Sequence, residues 1–142
     1  MRWIALVGVA LAVGAAGAAR AADDASVRGT VGVNPLSIVT LVSDTQVRRG
    51  ELFVVAATVS NAGPIRLDDV TVTLVRAPAI RTLPGPTQIL GRLPPRSTRV
   101  ALWLACSNAT GGFVLVTRAA AGPTVAESTG QIVHVTSSRR SC

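Results

Sequence analysis

The chain has 142 residues, a formal net charge of +7 at pH 7 and 49% hydrophobic residues, enough for one core and too few for two, since domains run to roughly 100–150 residues. Only 15% of the residues are charged, which excludes a disordered polyelectrolyte. All 14 basic residues are arginine, adjacent only at Arg48-Arg49 and Arg139-Arg140, which read as a solvated turn and a solvated tail. Beyond residue 21 the aromatic residues are Phe53, Trp103 and Phe113; a nucleic-acid partner is disfavoured, because single-strand binders need stacking platforms.

The first 21 residues read as a cleavable export signal. Arg2 and the amino terminus form a positive start, Trp3 to Ala18 an uncharged apolar run, and Ala19-Arg20-Ala21 places small residues where a signal peptidase inspects them. Cleavage is expected between Ala21 and Ala22. A retained anchor wants about 20 strongly apolar residues, whereas this run is shorter and diluted by Ala and Gly, so no stable membrane span is expected after cleavage. Loss of Arg2 and Arg20 lowers the formal charge from +7 to +5, because all seven Asp and Glu lie further along. The expected location is secreted, periplasmic or cell-surface.

Residues 22–35 are weakly patterned and are expected to form an N-terminal arm, in which Val31 and Val33 offer an edge strand. From residue 36 to the C-terminus strand signals dominate. Leu36 to Val42 is a β-branched run ended by Ser43-Asp44, and Leu52 to Ser60 is a second, closed by Asn61-Ala62-Gly63-Pro64. Within it Phe53, Val55, Ala57 and Val59 share a face, since strand side chains alternate with period two; that face is predicted to be core. Val70 to Val75 puts Val70, Val72 and Leu74 on a dry side and Thr71 and Thr73 on a wet one. Pro78, Pro84 and Pro86 break any long element, and Gln88 to Leu93 is a short strand interrupted by Gly91. After the Pro94-Pro95-Arg96-Ser97 turn, Arg99 to Ala105 alternates Val100, Leu102 and Leu104 against Arg99, Ala101 and Trp103. Phe113 to Thr117 follows Gly111-Gly112, and Gln131 to Thr136 ends the series. About seven short strands separated by turn chemistry, with no helical period, predict an antiparallel sandwich or barrel.

Several of these segments carry a resemblance. Arg49-Gly50-Glu51 before an apolar strand, Val59-Ser60-Asn61-Ala62-Gly63 closing it, and Asp68-Asp69-Val70-Thr71-Val72-Thr73-Leu74 as the next strand resemble the immunoglobulin-like modules known as the cell-adhesion-related (CARDB) domain and its NEW3-type relatives. Gly91-Arg92-Leu93-Pro94-Pro95-Arg96-Ser97 resembles their G-x-L-x-P-G-x-S turn, with Arg96 where they carry Gly, and Gly112-Phe113 resembles their G-x-Y strand opening. The resemblance spans about Val47 to Ala121 and implies an all-β, immunoglobulin-like antiparallel sandwich over residues 36–142. Such modules serve as spacers, adhesion elements or glycan-contact surfaces. The function it implies is therefore a non-enzymatic binding, adhesion or structural module, whose partner is a protein or glycan of the cell envelope. The alternative is a carbohydrate-contacting accessory domain beside a separate enzyme.

Chemistry-bearing residues are sparse. His134, the only imidazole, sits mid-strand between Val133 and Val135, where a packed or surface role is expected over catalysis. One His and two distant Cys do not make a zinc site, and Asp68-Asp69 falls short of the 6 to 8 oxygens of a calcium shell. No catalytic residue, metal ligand or cofactor site is assigned. Asn108-Ala109-Thr110 fits the N-glycosylation pattern and equally an ordinary polar turn. Cys106 and Cys142 are the covalent feature: an exported chain with an even cysteine count permits a disulfide. In an up-and-down alternation the run ending near Cys106 and the last run point the same way, and Ser137 to Ser141 bridges the remaining gap. An intramolecular bond is expected, against a free Cys106 thiol or a Cys142 paired between chains.

Overall fold

The structure is a computed structural model that describes residues 33–142. The Ala21/Ala22 site and Val31 lie outside the described residues. Ten strands follow one another: β1 (Leu36–Val42), β2 (Gln46–Arg48), β3 (Phe53–Asn61), β4 (Leu67–Val75), β5 (Ile80–Leu83), β6 (Thr87–Leu93), β7 (Ser97–Ser107), β8 (Gly111–Ala121), β9 (Thr124–Glu127) and β10 (Gln131–Thr136). The expected runs are β1, β3, β4, β6, β7, β8 and β10. The additions β2, β5 and β9 have only three or four residues each, too few to display an alternation.

The strands form two sheets, one in the order β1-β3-β7-β5, the other β2-β10-β8-β4-β6 with β9 also paired to β8. All pairings are antiparallel except β2 with β10, which is parallel. The chain is thus not a simple up-and-down series, because β3 to β4, β6 to β7 and β7 to β8 each cross between sheets. Pairing of Cys106 with Cys142 requires only that β7 and β10 end at the same pole. They do, since β8 reverses β7 and β10 is antiparallel to β8. The architecture is an all-β, immunoglobulin-like sandwich, whose two sheets enclose one apolar layer about 10 Å thick.

That layer is filled by inward alternate positions. Phe53, Val55, Ala57 and Val59 of β3 and Val70, Val72 and Leu74 of β4 are buried, as the alternation predicts, and Leu115, Ala119, Val133 and Val135 meet them from β8 and β10. On β7 the structure selects Ala101, Trp103 and Ala105 for the interior. Register explains the choice of sizes: Phe53 lies opposite Ala105, Val55 opposite Trp103 and Ala57 opposite Ala101. Small or medium residues stand opposite the two rings, which leaves room for both in one layer. Trp103 is 1% exposed, and its indole N–H donates to the Gly85 carbonyl (3.1 Å), tying the β5–β6 loop to the core.

The polar residues enclosed between the sheets are paired, while Arg49 Nε, Arg76 Nε and Thr82 Oγ1 are buried without a hydrogen-bond partner. Thr40 of β1 and Thr117 of β8 hydrogen-bond to each other across the sandwich. The Thr40 hydroxyl also donates to Ser128 Oγ (2.6 Å), which accepts the Thr117 N–H (3.0 Å) as well. At one pole Asn61 is 1% exposed; its amide donates to the carbonyls of Ile65 (2.8 Å) and Leu93 (3.1 Å), and its oxygen accepts the Gly63 N–H (3.0 Å). One side chain thereby fixes the β3–β4 and β6–β7 connections. Arg96 holds φ +56° in the second of these, a left-handed turn conformation at a non-glycine residue. Val33 is exposed and not in a strand, whereas Asn34 donates to the Val125 carbonyl (2.8 Å).

Val72 has no exposed surface, and Thr71 stands on the opposite face of β4. Val72→Asp is expected to unfold the domain, since an unpartnered charge in the interior costs several kcal/mol, about the whole stability of a small domain. Thr71→Asp should leave the thermal midpoint nearly unchanged. Equal losses in a thermal melt would contradict the register of β4.

Candidate functional site

Period two carries a second consequence in the four-stranded sheet. If Trp103 and its alanines point inward, Val100, Leu102 and Leu104 must point outward, and all three are exposed, Leu102 at 56%. On β1, burial of Leu36, Ile38 and Thr40 sends Val39 and Leu41 out; on β3 the outward residues are Val54, Ala56 and Thr58. The pairings assemble them into rows: Val39, Thr58 and Val100; Leu41, Ala56 and Leu102; Val54, Leu104 and Leu83. Toward the Asn61 pole the next row, Ser37, Ser60 and Thr98, is polar.

Each row spans three strands about 4.8 Å apart, and three rows about 6.7 Å apart give a patch of roughly 14 by 20 Å. Contiguous apolar patches of that size on small proteins commonly mark contact surfaces. The backbone of β3 is engaged in the ladder on both sides, whereas β7 pairs with β5 only from Leu104 to Ser107 and its Leu102 carbonyl accepts from Gln88 Nε2 (2.7 Å), so the face is presented mainly through apolar side chains.

At the other pole the chain closes over the sheet. Cys106, outward on β7, is bonded to Cys142, with Cα atoms 5.8 Å apart. The Cys142 N–H donates to Asn108 Oδ1 (2.8 Å), so the polar reading of Asn108-Ala109-Thr110 acquires a structural role in the β7–β8 turn. The tail crosses Gly50, where an added Cβ would lie 2.7 Å from Arg140 Cβ; glycine is required by this approach and by its φ of +77°. Between the tail and the apolar face runs a groove of ≈590 Å³ lined by Leu52, Arg81, Leu83, Leu104 and the disulfide.

The same pole collects arginines. Arg81 pairs in register with Cys106, Arg139 and Arg140 lie on the tail, and Arg48 and Arg49 follow β2. Arg49 donates to the Ser138 carbonyl and Arg76 to the Ile80 carbonyl. The two arginine pairs, far apart in sequence, are brought together: Arg48 and Arg140 line one recess of ≈500 Å³ with Glu51. Among the described residues, ion pairs occur only at the opposite pole, where Asp68 meets Arg66 (2.9 Å) and Arg92 (3.8 Å).

The remaining sequence candidates stay apart. The Asp68 carboxylate is taken by those guanidinium groups, and Asp69 occupies an irregular step of β4 with φ +52°. Exposed His134 lies on β10 opposite Gly112. Among the described residues no three His, Cys, Asp or Glu side chains are grouped to hold a metal ion, and no helix is long and apolar enough to cross a membrane. Sequence reasoning missed the outer face. Its signal was present: β1 and β7 are apolar on both alternations, which a strand with one wet side is not.

Removing the disulfide isolates the tail. Cys142→Ser is expected to lower stability by about 3 to 4 kcal/mol in the chain-entropy view of a 36-residue separation and to expose Arg139-Arg140 to trypsin. Non-reducing peptide mapping that finds two free thiols, or a covalent dimer through Cys142, would contradict this closure.

No protein-family model matches the sequence, and no curated protein matches it either. Similar folds occur among solved structures. The crystal structure of the CARDB domain of a Pyrococcus furiosus protein, in complex with di-metal ions, matches 71% of this chain and 87% of its own, with TM-score 0.52 and 15% identity. The solution structure of that domain covers 72% of this chain and 94% of its own, with the same TM-score and identity. At this identity the likeness concerns architecture alone, and it agrees with the strand and turn resemblance: the chain has the fold of a CARDB-like, immunoglobulin-like module.

Proposed function

We propose that the chain is exported through a signal peptide cleaved between Ala21 and Ala22. In this reading it acts as a non-enzymatic binding, adhesion or structural module of the cell envelope or extracellular space, with the outer face of the four-stranded sheet as its contact surface. The observation that carries the reading is the continuous outward apolar patch from Val39 and Leu41 across to Leu83, centred on Leu102 and Leu104. Solvent exposure of so many aliphatic side chains is unfavourable by about 25 cal/mol per Å², a cost that a contact surface recovers on binding. The Cys106–Cys142 bond fits an oxidising compartment. A carbohydrate-contacting role has less support, since Phe53 and Trp103 are enclosed in the core and Phe113 is half-buried against it, which leaves no fully exposed aromatic among the described residues to stack on a sugar face.

Protein recovered from its host should begin at Ala22 by intact mass, and should bind native envelopes. Leu102→Thr with Leu104→Thr should reduce that binding at least tenfold while shifting stability by no more than about 1 kcal/mol, as expected of two exposed positions. Retention of residues 1–21, or unaltered binding by the double variant, would overturn the reading.

A further inference from the structure

We infer that the outer face of the four-stranded sheet, together with the arginines at its Cys106 end, docks on an anionic lipid surface. The inference deepens the function proposed above and rests on it for the compartment in which lipid is met.

The face supplies the first half of the recognition. The row of Leu41, Ala56 and Leu102 and the row of Val54, Leu104 and Leu83 carry no hydrogen-bonding side chain. Such a surface gains free energy by leaving water and imposes no direction on its partner, which suits the headgroup–acyl boundary of a bilayer. The groove beside Leu52, Leu83 and Leu104, ≈590 Å³ in volume, is open to the same side and has room for the end of an acyl chain.

Charge supplies the second half. Where the apolar rows end, Arg81, Arg139 and Arg140 are exposed, with Arg48, Arg49 and Arg76 at the same pole. The side-chain carboxylates there are Asp44 and Glu51; Glu51 shares a recess with Arg48 and Arg140, but among the described residues neither carboxylate forms an ion pair with these arginines. Arginine stems lie along apolar surface while their guanidinium groups stay at headgroup level. Peripheral attachment combines buried apolar area with attraction to anionic lipid, and both features adjoin here. A second copy of the chain would meet only the first of them, since after loss of Arg2 and Arg20 it still brings a net positive charge of +5 (+7 minus 2).

The test places a fluorescent reporter on the face of the processed chain, which begins at Ala22 and lacks both Trp3 and the apolar run around it. Leu102→Trp adds an indole at the centre of the patch, and Leu41→Trp supplies an independent probe on β1; enclosed Trp103 contributes a constant signal. Both probes should shift to the blue with phosphatidylcholine vesicles containing phosphatidylglycerol, should not shift with phosphatidylcholine alone, and should revert in high salt. Arg81→Ser should raise the lipid concentration at half-shift by about fivefold, the effect of one basic residue at an anionic surface. No shift with either vesicle, or an equal shift with both, would overturn the inference. So would a shift that grows with protein concentration without vesicles, which would assign the face to a second copy. Loss of envelope binding in the Leu102→Thr, Leu104→Thr variant without any vesicle shift would leave the binding module standing and remove lipid as its partner.

Discussion

Trp103 is the largest side chain fully enclosed between the sheets, and the space it needs decides what the neighbouring positions hold. A layer about 10 Å thick accepts one indole only if the residues around it are small. Ala101 and Ala105 flank it two residues away on β7, and Val55 and Ala57 lie across on β3. The indole N–H must also find an acceptor, which the Gly85 carbonyl provides (3.1 Å). Register, the course of the β5–β6 loop and the inner face of β3 thus follow from one side chain. So does the outer face, because period two leaves Val100, Leu102 and Leu104 nowhere to point but outward.

The two poles of the sandwich are held differently, and the difference bears on function. At one, Asn61 clamps two connections from a buried position, and Asp68 collects Arg66 and Arg92 into ion pairs; exposed pairs of this kind add little stability but neutralise local charge. At the other, closure is covalent, and the tail crosses Gly50 to reach Cys106. The arginines there retain their field. Fixing the tail also builds one wall of the groove beside Leu83 and Leu104, so a bond that stabilises the chain also shapes the candidate contact surface.

Much of the sandwich was legible in the sequence because its longest strands keep one wet face. Val70, Val72 and Leu74 against Thr71 and Thr73 declare their core side at once, and Phe53 to Val59 does so nearly as well. The cysteine pairing was legible for a different reason, since relative strand direction survives even though the chain crosses between sheets. The outer face was not. In Val100 to Ala105 both alternations are apolar, and hydrophobicity alone favours placing leucines inside; the deciding term is the fit of an indole between alanines, which depends on β3 and appears only once the strands are paired. The short strands β2, β5 and β9 depend likewise on partners, since three or four residues carry no period of their own.

The facing of β7 is the claim on which the candidate site stands, and the fluorescence of Trp103 reads it directly. In a Trp3→Phe chain Trp103 is the only indole. Its emission should be blue-shifted and weakly quenched by acrylamide in the native state, with strong quenching and a red-shifted maximum on unfolding. Native emission already red-shifted and freely quenched would put Trp103 in water and the leucines of β7 in the core, and the apolar outer face would not exist.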